Sequence, residues 1–222
     1  MTNLRYELVV LDLAGTTVVD DGIVEEAFAR AWDRVQDSDE GRAAAVEHVR
    51  ATMGQSKIDV FRHFADEHTA HEINAAFEQS YRDLIDEGRC EAIPGAEEAI
   101  RALRGRGLKI AFTTGFAKTT ADAILTALNW TDLADVVLTP AEAGRGRPFP
   151  DLALVSLLRT QTSSVAAMVV VGDTESDAGT GKSAGAGLVV GVLTGSRSRE
   201  ALLAAGADLV LASIADLPAE LP

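Results

Sequence analysis

Leu8-Val9-Val10-Leu11-Asp12-Leu13-Ala14-Gly15-Thr16-Thr17 is the stretch on which the fold turns. The run over residues 7–11 is apolar after Glu7 and does not alternate, which suits a central parallel strand covered on both faces. Similar runs occupy residues 108–112, 135–138, 168–171, 188–192 and 208–211, with longer stretches of helical spacing between them. This alternation describes βαβ units, and together they predict a doubly wound α/β sheet of Rossmann-like type. Such sheets collect ligand groups where their strands end, and the first run leads into a carboxylate and a Gly-Thr-Thr turn.

Residues 22–87 break the pattern, because their apolar positions recur at helical spacing alone. Val24, Ala27, Phe28, Ala31 and Val35 form one set; Val46, Val49 and Met53, then Ile58 and Phe61, then Ile73, Phe77, Tyr81 and Leu84 form the others. Turn-prone residues bound the segment, Asp20-Asp21-Gly22 on one side and Gly88 and Ile93-Pro94-Gly95 on the other. The expected organisation is an α/β core of residues 1–19 and 92–222, with a small helical cap, residues 20–91, inserted after the first strand and able to move as a unit.

A chain of 222 residues can bury a sizeable core. Its net charge of -14 and isoelectric point near 4.6 exclude nucleic acid and anionic membranes as main partners, since both would be repelled. An anionic substrate must therefore meet a local cluster of cations. No apolar run approaches the ~18 residues of a membrane span, and polar residues stand close to Met1, so no secretory signal and a cytoplasmic location are expected. Cys90, the one cysteine, has no disulfide partner and no neighbouring His or Asp to activate it, so it reads as structural in a reducing compartment.

Asp12 can aim a carboxylate oxygen at an electrophile, while free backbone N–H groups in the turn over Gly15, Thr16 and Thr17 hold that electrophile's anionic oxygens. A strand-end Asp taken alone serves equally as a turn or helix cap. Met168-Val169-Val170-Val171-Gly172-Asp173-Thr174-Glu175-Ser176-Asp177 delivers two more carboxylates, four residues apart, and hard oxygen ligands of this kind suit Mg²⁺. Ile110-Ala111-Phe112-Thr113-Thr114-Gly115 brings a hydroxyl to a strand end, and Gly144-Arg145-Gly146-Arg147-Pro148 presents a guanidinium. Nucleophile, metal ligands, hydroxyl donor and fixed cation are the equipment of phosphoryl transfer. Thr180-Gly181-Lys182-Ser183 imitates the end of a nucleotide-binding loop, but Ser176 stands where that pattern needs a glycine, so Lys182 reads as a surface residue. His48, His63, His68 and His71 read as surface residues of the helical insert.

In this order and spacing, the four motifs resemble the haloacid dehalogenase superfamily of phosphotransferases over nearly the whole chain. The resemblance implies Asp12 as nucleophile, Thr114 as the hydroxyl of the second motif, Arg147 as the cation of the third, and Asp173 and Asp177 as the acids of the fourth. It also implies Mg²⁺ held by Asp12, the backbone carbonyl of Ala14, and Asp173, with Asp177 supporting through water or as a further ligand. The helical insert matches the superfamily's cap.

Most phosphatases of the superfamily carry a second Asp two residues after the nucleophile, which protonates the leaving oxygen. Ala14 stands there, and a methyl group transfers no proton. The pattern Asp-x-Ala-Gly-Thr-Thr is similar to that of the phosphonatases, or phosphonoacetaldehyde hydrolases, which cleave a carbon–phosphorus bond after a cap lysine forms a Schiff base with the substrate aldehyde. Met53-Gly54-Gln55-Ser56-Lys57 matches that family's Met-Gly-x-x-Lys and makes Lys57 the Schiff-base residue; Arg147-Pro148 and Thr113-Thr114-Gly115 match as well. Ser56 as N-cap, with Asp59 completing an Asp form of the capping box, sets Lys57 in the first turn of a helix. The helix dipole and burial under a closed cap would both lower its pKa. By the same resemblance, Thr16, Thr17, Met53, Gly54, Gly115 and Phe116 bind substrate. Two positions depart from the family: its cap histidine three residues after the lysine is Val60 here, and the aromatic hydroxyl after its Thr-Thr-Gly is Phe116. The implied enzyme is a Mg²⁺-dependent, phosphonatase-like hydrolase of a small carbonyl phosphonate, with a homodimer through the cap expected. A phosphomonoesterase or phosphomutase is the alternative, and a catalytically silent binding module the third reading.

Overall fold

The computed structural model describes residues 5–36 and 40–222; residues 1–4, on which the expectation about a signal rests, lie outside that description. Six strands form one parallel sheet in the order β3-β2-β1-β4-β5-β6: β1 (Leu8–Asp12), β2 (Lys109–Thr113), β3 (Val136–Leu138), β4 (Met168–Gly172), β5 (Leu188–Val192) and β6 (Leu209–Leu211). β1 and β4 are buried along their whole length, the environment their unbroken apolar runs require. β1 and β2 begin and end one residue later than hydropathy suggests, so Asp12 belongs to its strand, opposite Thr113. The ends are set by backbone ladder pairing, which continues through a polar side chain without penalty.

Between β1 and β2 lie α1 (Ile23–Val35), α2 (Arg42–Ala51), α3 (Lys57–Arg62) and α4 (Glu67–Asp86), followed by α5 (Ala96–Gly105). The later connections carry α6 (Lys118–Ala127), α7 (Pro140–Ala143), α8 (Asp151–Thr160), α9 (Glu175–Ala184) and α10 (Arg199–Ala204), and α11 (Leu217–Glu220) follows β6. Met53 falls beyond the end of α2 and is not part of a helix face. The chain segments on either side of α1–α4 pair with each other. The Val19 N–H donates to the Glu91 carbonyl and the Ile93 N–H to the Thr17 carbonyl, both at 2.9 Å, around an antiparallel bridge between Val18 and Ala92. Among the described residues, no helix is long and apolar enough to cross a membrane.

Aromatic rings join the inserted helices to the sheet. Phe28 stacks on Phe61 with centroids 5.8 Å apart, and Phe61 meets Phe77 edge-on at 5.6 Å. Phe77 and Tyr81 in turn hold Phe116, at 6.1 and 4.6 Å. Phe116 belongs to the loop after β2, so the core contributes a ring to the hydrophobic centre of the insert. Pairs of this kind add about 0.5–1.5 kcal/mol each beyond the area they bury. Truncating the ring should therefore cost more than a generic surface change: Phe116→Ala is expected to lower stability by about 3–5 kcal/mol in urea unfolding. An unchanged midpoint would show that the ring does not tie the two parts together.

Candidate active site

The strand order reverses at β1, whose neighbours are β2 on one side and β4 on the other, and a crevice opens there at the carboxyl ends of the strands. Asp12 closes β1, Asp173 follows the last residue of β4, and Asp177 lies in the first turn of α9. All three are buried, and one carboxylate oxygen of each lies within 4.8 Å of one from each of the others.

Arg147 reaches into this cluster from the loop after α7. Its Nη2 donates to Asp12 Oδ1 at 2.5 Å and to the Thr113 carbonyl at 2.8 Å, and its Nε faces Asp177 Oδ1 at 3.1 Å. Its Nη1 donates to the Gly54 carbonyl, on the insert, at 3.1 Å. Asp177 Oδ2 accepts from the Thr174 N–H and hydroxyl at 3.1 and 2.5 Å. Both Asp177 oxygens are therefore engaged by the protein. Arg145, by contrast, turns outward to Asp151 and the Phe149 ring.

The turn after Asp12 departs from the expectation of open amides. The Gly15 N–H donates to the Val18 carbonyl at 2.7 Å, and the Thr16 and Thr17 N–H groups donate to the Leu13 carbonyl at 3.2 and 2.9 Å. A turn this tight satisfies its own amides and leaves none for an anion. The hydroxyls of Thr16 and Thr17 are likewise engaged within the protein. The Thr16 hydroxyl donates to Asp173 Oδ1 at 2.8 Å, and the Thr17 hydroxyl to the Asp12 carbonyl at 2.9 Å. Gly15 is required twice over: its φ of +85° is left-handed, and a Cβ there would run into the Asp173 carboxylate.

Burial pushes the Asp12 carboxyl up to about 7 against the pull of Arg147, with Asp177 adding to the rise. Asp173 is raised well above the usual carboxylate range by burial, and then by Asp12 and Asp177. Three buried carboxylates share one guanidinium, so the cluster carries uncompensated negative charge. A hard divalent cation fits this donor set: Asp12 and Asp173 present oxygens beside Ala14, which lines the same cavity.

Across the cavity stands Lys57, the first residue of α3. It is buried, its Nζ lies 5.5 Å from the centre of the Phe116 ring, and no carboxylate of the described residues is within ion-pair distance. Burial holds its pKa below that of an ordinary lysine, opposed by Asp20, Asp12 and Glu78. The expected capping box is absent. Ser56 makes no side-chain cap, since it packs so closely on Gly146 that a methyl there would strike its Cβ, and Asp59 pairs outward with Arg62 at 2.9 Å. The Lys57 N–H donates instead to the Gly115 carbonyl at 3.2 Å.

Asp12, Ala14 and Asp173 from the core, Met53, Gly54 and Lys57 from the insert, and Thr114, Gly115, Phe116 and Arg147 between them enclose a cavity of about 20 Å³. Thr114 Oγ1 accepts from the Phe116 N–H at 3.2 Å, which leaves its own proton available to a ligand. Val24 and Thr174 also line the space, and Asp20 and Glu78 act on Lys57 electrostatically. Sequence reasoning missed all four, and the only trace of Glu78 is an acid flanking the apolar stripe of α4. The remaining residues set aside by that reasoning stay away from the cavity. Lys182 is exposed and pairs with Asp208 at 2.6 Å, and the half-buried Cys90 thiol is pushed up to about 11 by burial. His48 and His63 stack on each other at 3.9 Å, while His68 and His71 pair with Glu72 and Glu67.

The chain matches the haloacid dehalogenase-like hydrolase family over residues 6–185. It is 30% identical over 208 residues to a phosphonoacetaldehyde hydrolase of Bacillus cereus (strain AH187), an alignment spanning 87% of this chain and 78% of the relative. Among solved structures, a hydrolase from Pseudomonas syringae superposes with a TM-score of 0.84 at 23% identity, covering 96% of each chain. A phosphonoacetaldehyde hydrolase-like protein from Oleispira antarctica gives 0.80 at 23% identity, covering 96% of this chain and 90% of that one.

Carboxyls whose folded pKa exceeds the unfolded value of about 4 bind more protons in the fold than in the open chain. The metal-free protein should therefore lose stability as pH rises from about 4 through the Asp12 value of about 7. Asp173→Asn removes one of the three like charges and should flatten that loss, raising the thermal midpoint in metal-free buffer at neutral pH. It should also abolish most of the stabilisation that Mg²⁺ gives the parent. A parent-like rise with Mg²⁺ would remove Asp173 from the cation site.

Proposed function

The chain belongs to the haloacid dehalogenase-like hydrolases, and we propose that it cleaves the carbon–phosphorus bond of a small carbonyl phosphonate, phosphonoacetaldehyde or a close relative. The observation that carries this reading is the buried amine of Lys57, without an ion-pair partner among the described residues and facing the same cavity as Asp12. Desolvation favours the neutral amine, which is the form that attacks a carbonyl. Similarity to a relative named phosphonoacetaldehyde hydrolase supports the same substrate class.

Lys57 Nζ adds to the carbonyl carbon and water leaves, giving an iminium. An Asp12 oxygen then attacks phosphorus; the carbon–phosphorus bond breaks, and its electron pair passes into the iminium to give an enamine. Water hydrolyses the resulting aspartyl phosphate, while protonation of the enamine carbon and hydrolysis of the imine return Lys57. Since the departing carbon's electrons enter the iminium, no acid is needed at position 14, and Ala14 becomes intelligible. Arg147 fixes the Asp12 carboxylate and remains as a cation beside the phosphonate, and the Thr114 hydroxyl donates to one of its oxygens. Asp12, Asp173 and the Ala14 carbonyl would hold Mg²⁺, which supplies neutralisation of the phosphonate charge. Asp177 acts through Arg147.

A cavity of about 20 Å³ admits little more than one water. Substrate entry therefore requires the cap, residues 20–91, to withdraw and return, and its return keeps bulk water from the covalent intermediates.

Asp12→Asn should abolish turnover, measured as phosphate release, because an amide does not form the phosphoryl intermediate; activity within about tenfold of the parent would remove Asp12 from that role. Lys57→Arg keeps the positive charge but forms no imine, so cleavage of phosphonoacetaldehyde should drop by several orders of magnitude, and borohydride should trap an adduct on Lys57 of the parent alone. Near-parent rates in Lys57→Arg on every phosphonate that the parent cleaves would sink the Schiff-base reading and leave a phosphomonoesterase or phosphomutase in front.

A further inference from the structure

Glu78 projects from α4 into the interior and is almost fully buried, at 5% exposure. Its Oε1 accepts from the Ala117 N–H at 3.0 Å, while its Oε2 is buried without a hydrogen-bond partner. One turn earlier on the same helix, the Asn74 side-chain oxygen is likewise buried and unpartnered. Both residues line a second cavity of about 130 Å³, and Gly115 and Phe116 form a wall common to it and to the Lys57 cavity. Ser56, immediately before Lys57, also borders it.

Two buried acceptors that border one cavity need donors, and this volume has room for ordered water at the side formed by Ser56, Asn74, Glu78 and Thr139. A carboxylate is an expensive residue to leave half-satisfied in such a place unless its charge state matters. Burial pushes the Glu78 carboxyl above the usual range, opposed first by the Thr120 hydroxyl, then by the Ala117 N–H, Lys57 from α3 and Arg82. Arg82, one turn on, directs its guanidinium to Gln79 and to the hydroxyls of Thr119 and Thr120. Tyr81 on the same helix adds a phenol raised well above its ordinary value, first by burial. From α6, the Thr120 hydroxyl approaches the Glu78 carbonyl, whereas Lys118 turns to Asp122. The basic residues Arg30 and Arg34 of α1 pair with Glu87 and Asp83 at the far end of α4.

We propose that Glu78 is the proton-transfer group for the imine chemistry at Lys57, acting through water held in the cavity behind Phe116. This rests on the Schiff-base reading above. Formation of an iminium from a neutral amine and an aldehyde consumes one proton, because the carbonyl oxygen must depart as water. Glu78 in its acid form gives that proton to the carbinolamine hydroxyl; the carbon–oxygen bond breaks, water leaves, and the carboxylate remains opposite the new cation. Hydrolysis of the imine at the end of the cycle returns the proton to Glu78, so the sum balances without another reagent. Glu78 thus supplies from the cap what Val60 and Phe116 cannot.

Glu78→Gln tests this while keeping the side chain's shape and its acceptor for the Ala117 N–H. With phosphonoacetaldehyde as probe and borohydride as trap, the rate of adduct formation on Lys57 should fall by about 10²-fold. Its pH profile should lose one limb, while Mg²⁺ affinity stays at the parent value. Glu78→Asp, titratable but one methylene shorter, should recover part of the rate together with the missing limb. A parent-like rate in Glu78→Gln overturns the assignment, and so does a slower rate with an unchanged pH profile, which is what loosened packing would give. Were the parent itself to form no adduct on Lys57, the Schiff-base reading would fall and Glu78's role with it; an adduct in the parent with an unaffected variant removes Glu78 alone.

Discussion

Three carboxylates buried within 4.8 Å of one another are the constraint around which the rest of the site is arranged. Like charges this close, shielded from water, repel strongly, and each desolvated oxygen still needs a donor. Arg147 answers part of the demand by touching both Asp12 and Asp177. Hydroxyls complete much of the remainder: Thr16 donates to Asp173, and Thr174 to Asp177. The charge left over is of the sign that a cation compensates, in a chain whose net charge is already -14. The parallel sheet matters here because strand ends held by ladders on both sides keep the repelling groups from moving apart.

The cap side of the cavity meets the opposite demand. Burial holds the Lys57 amine below its ordinary pKa, and that burial depends on the seam between insert and core. That seam is built from backbone and rings: the Lys57 amide on the Gly115 carbonyl, and Phe116 seated against Phe77 and Tyr81. Phe116 therefore works as an anchor for the insert as well as a wall of the cavity.

The sheet and the helical insert were legible in the sequence because both are buried in ways that leave plain patterns, unbroken apolar runs for two-faced strands and helical spacing for the insert. Strand ends were less legible, since Asp12 and Thr113 pair through backbone that hydropathy does not see. Motif residues converge on one cavity, with Thr16, Thr17 and Asp177 outside its lining. Local rules failed where tertiary packing overrode them. Ser56 has the chemistry of a cap but is pressed onto Gly146, and the Gly15–Thr17 amides look open in sequence yet close their own turn. Thr174, Asp20 and Glu78 were hidden because each is an ordinary polar residue until the fold sets it beside a charge.

One guanidinium joins the two halves, with Nη2 on the Asp12 carboxylate and Nη1 on the Gly54 carbonyl of the insert. Contacts that share a rigid, planar group are not independent, and thermodynamic linkage makes their influence mutual. To whatever extent an ionised Asp12 steadies Arg147 for its bond to Gly54, a closed insert favours the ionised Asp12 by the same factor. Conversion of that carboxylate to a neutral or esterified group weakens the hold on the insert from within. The arrangement amounts to a latch whose strength reports the charge on Asp12, so that the state of this carboxylate and the contact with the insert are read by one side chain.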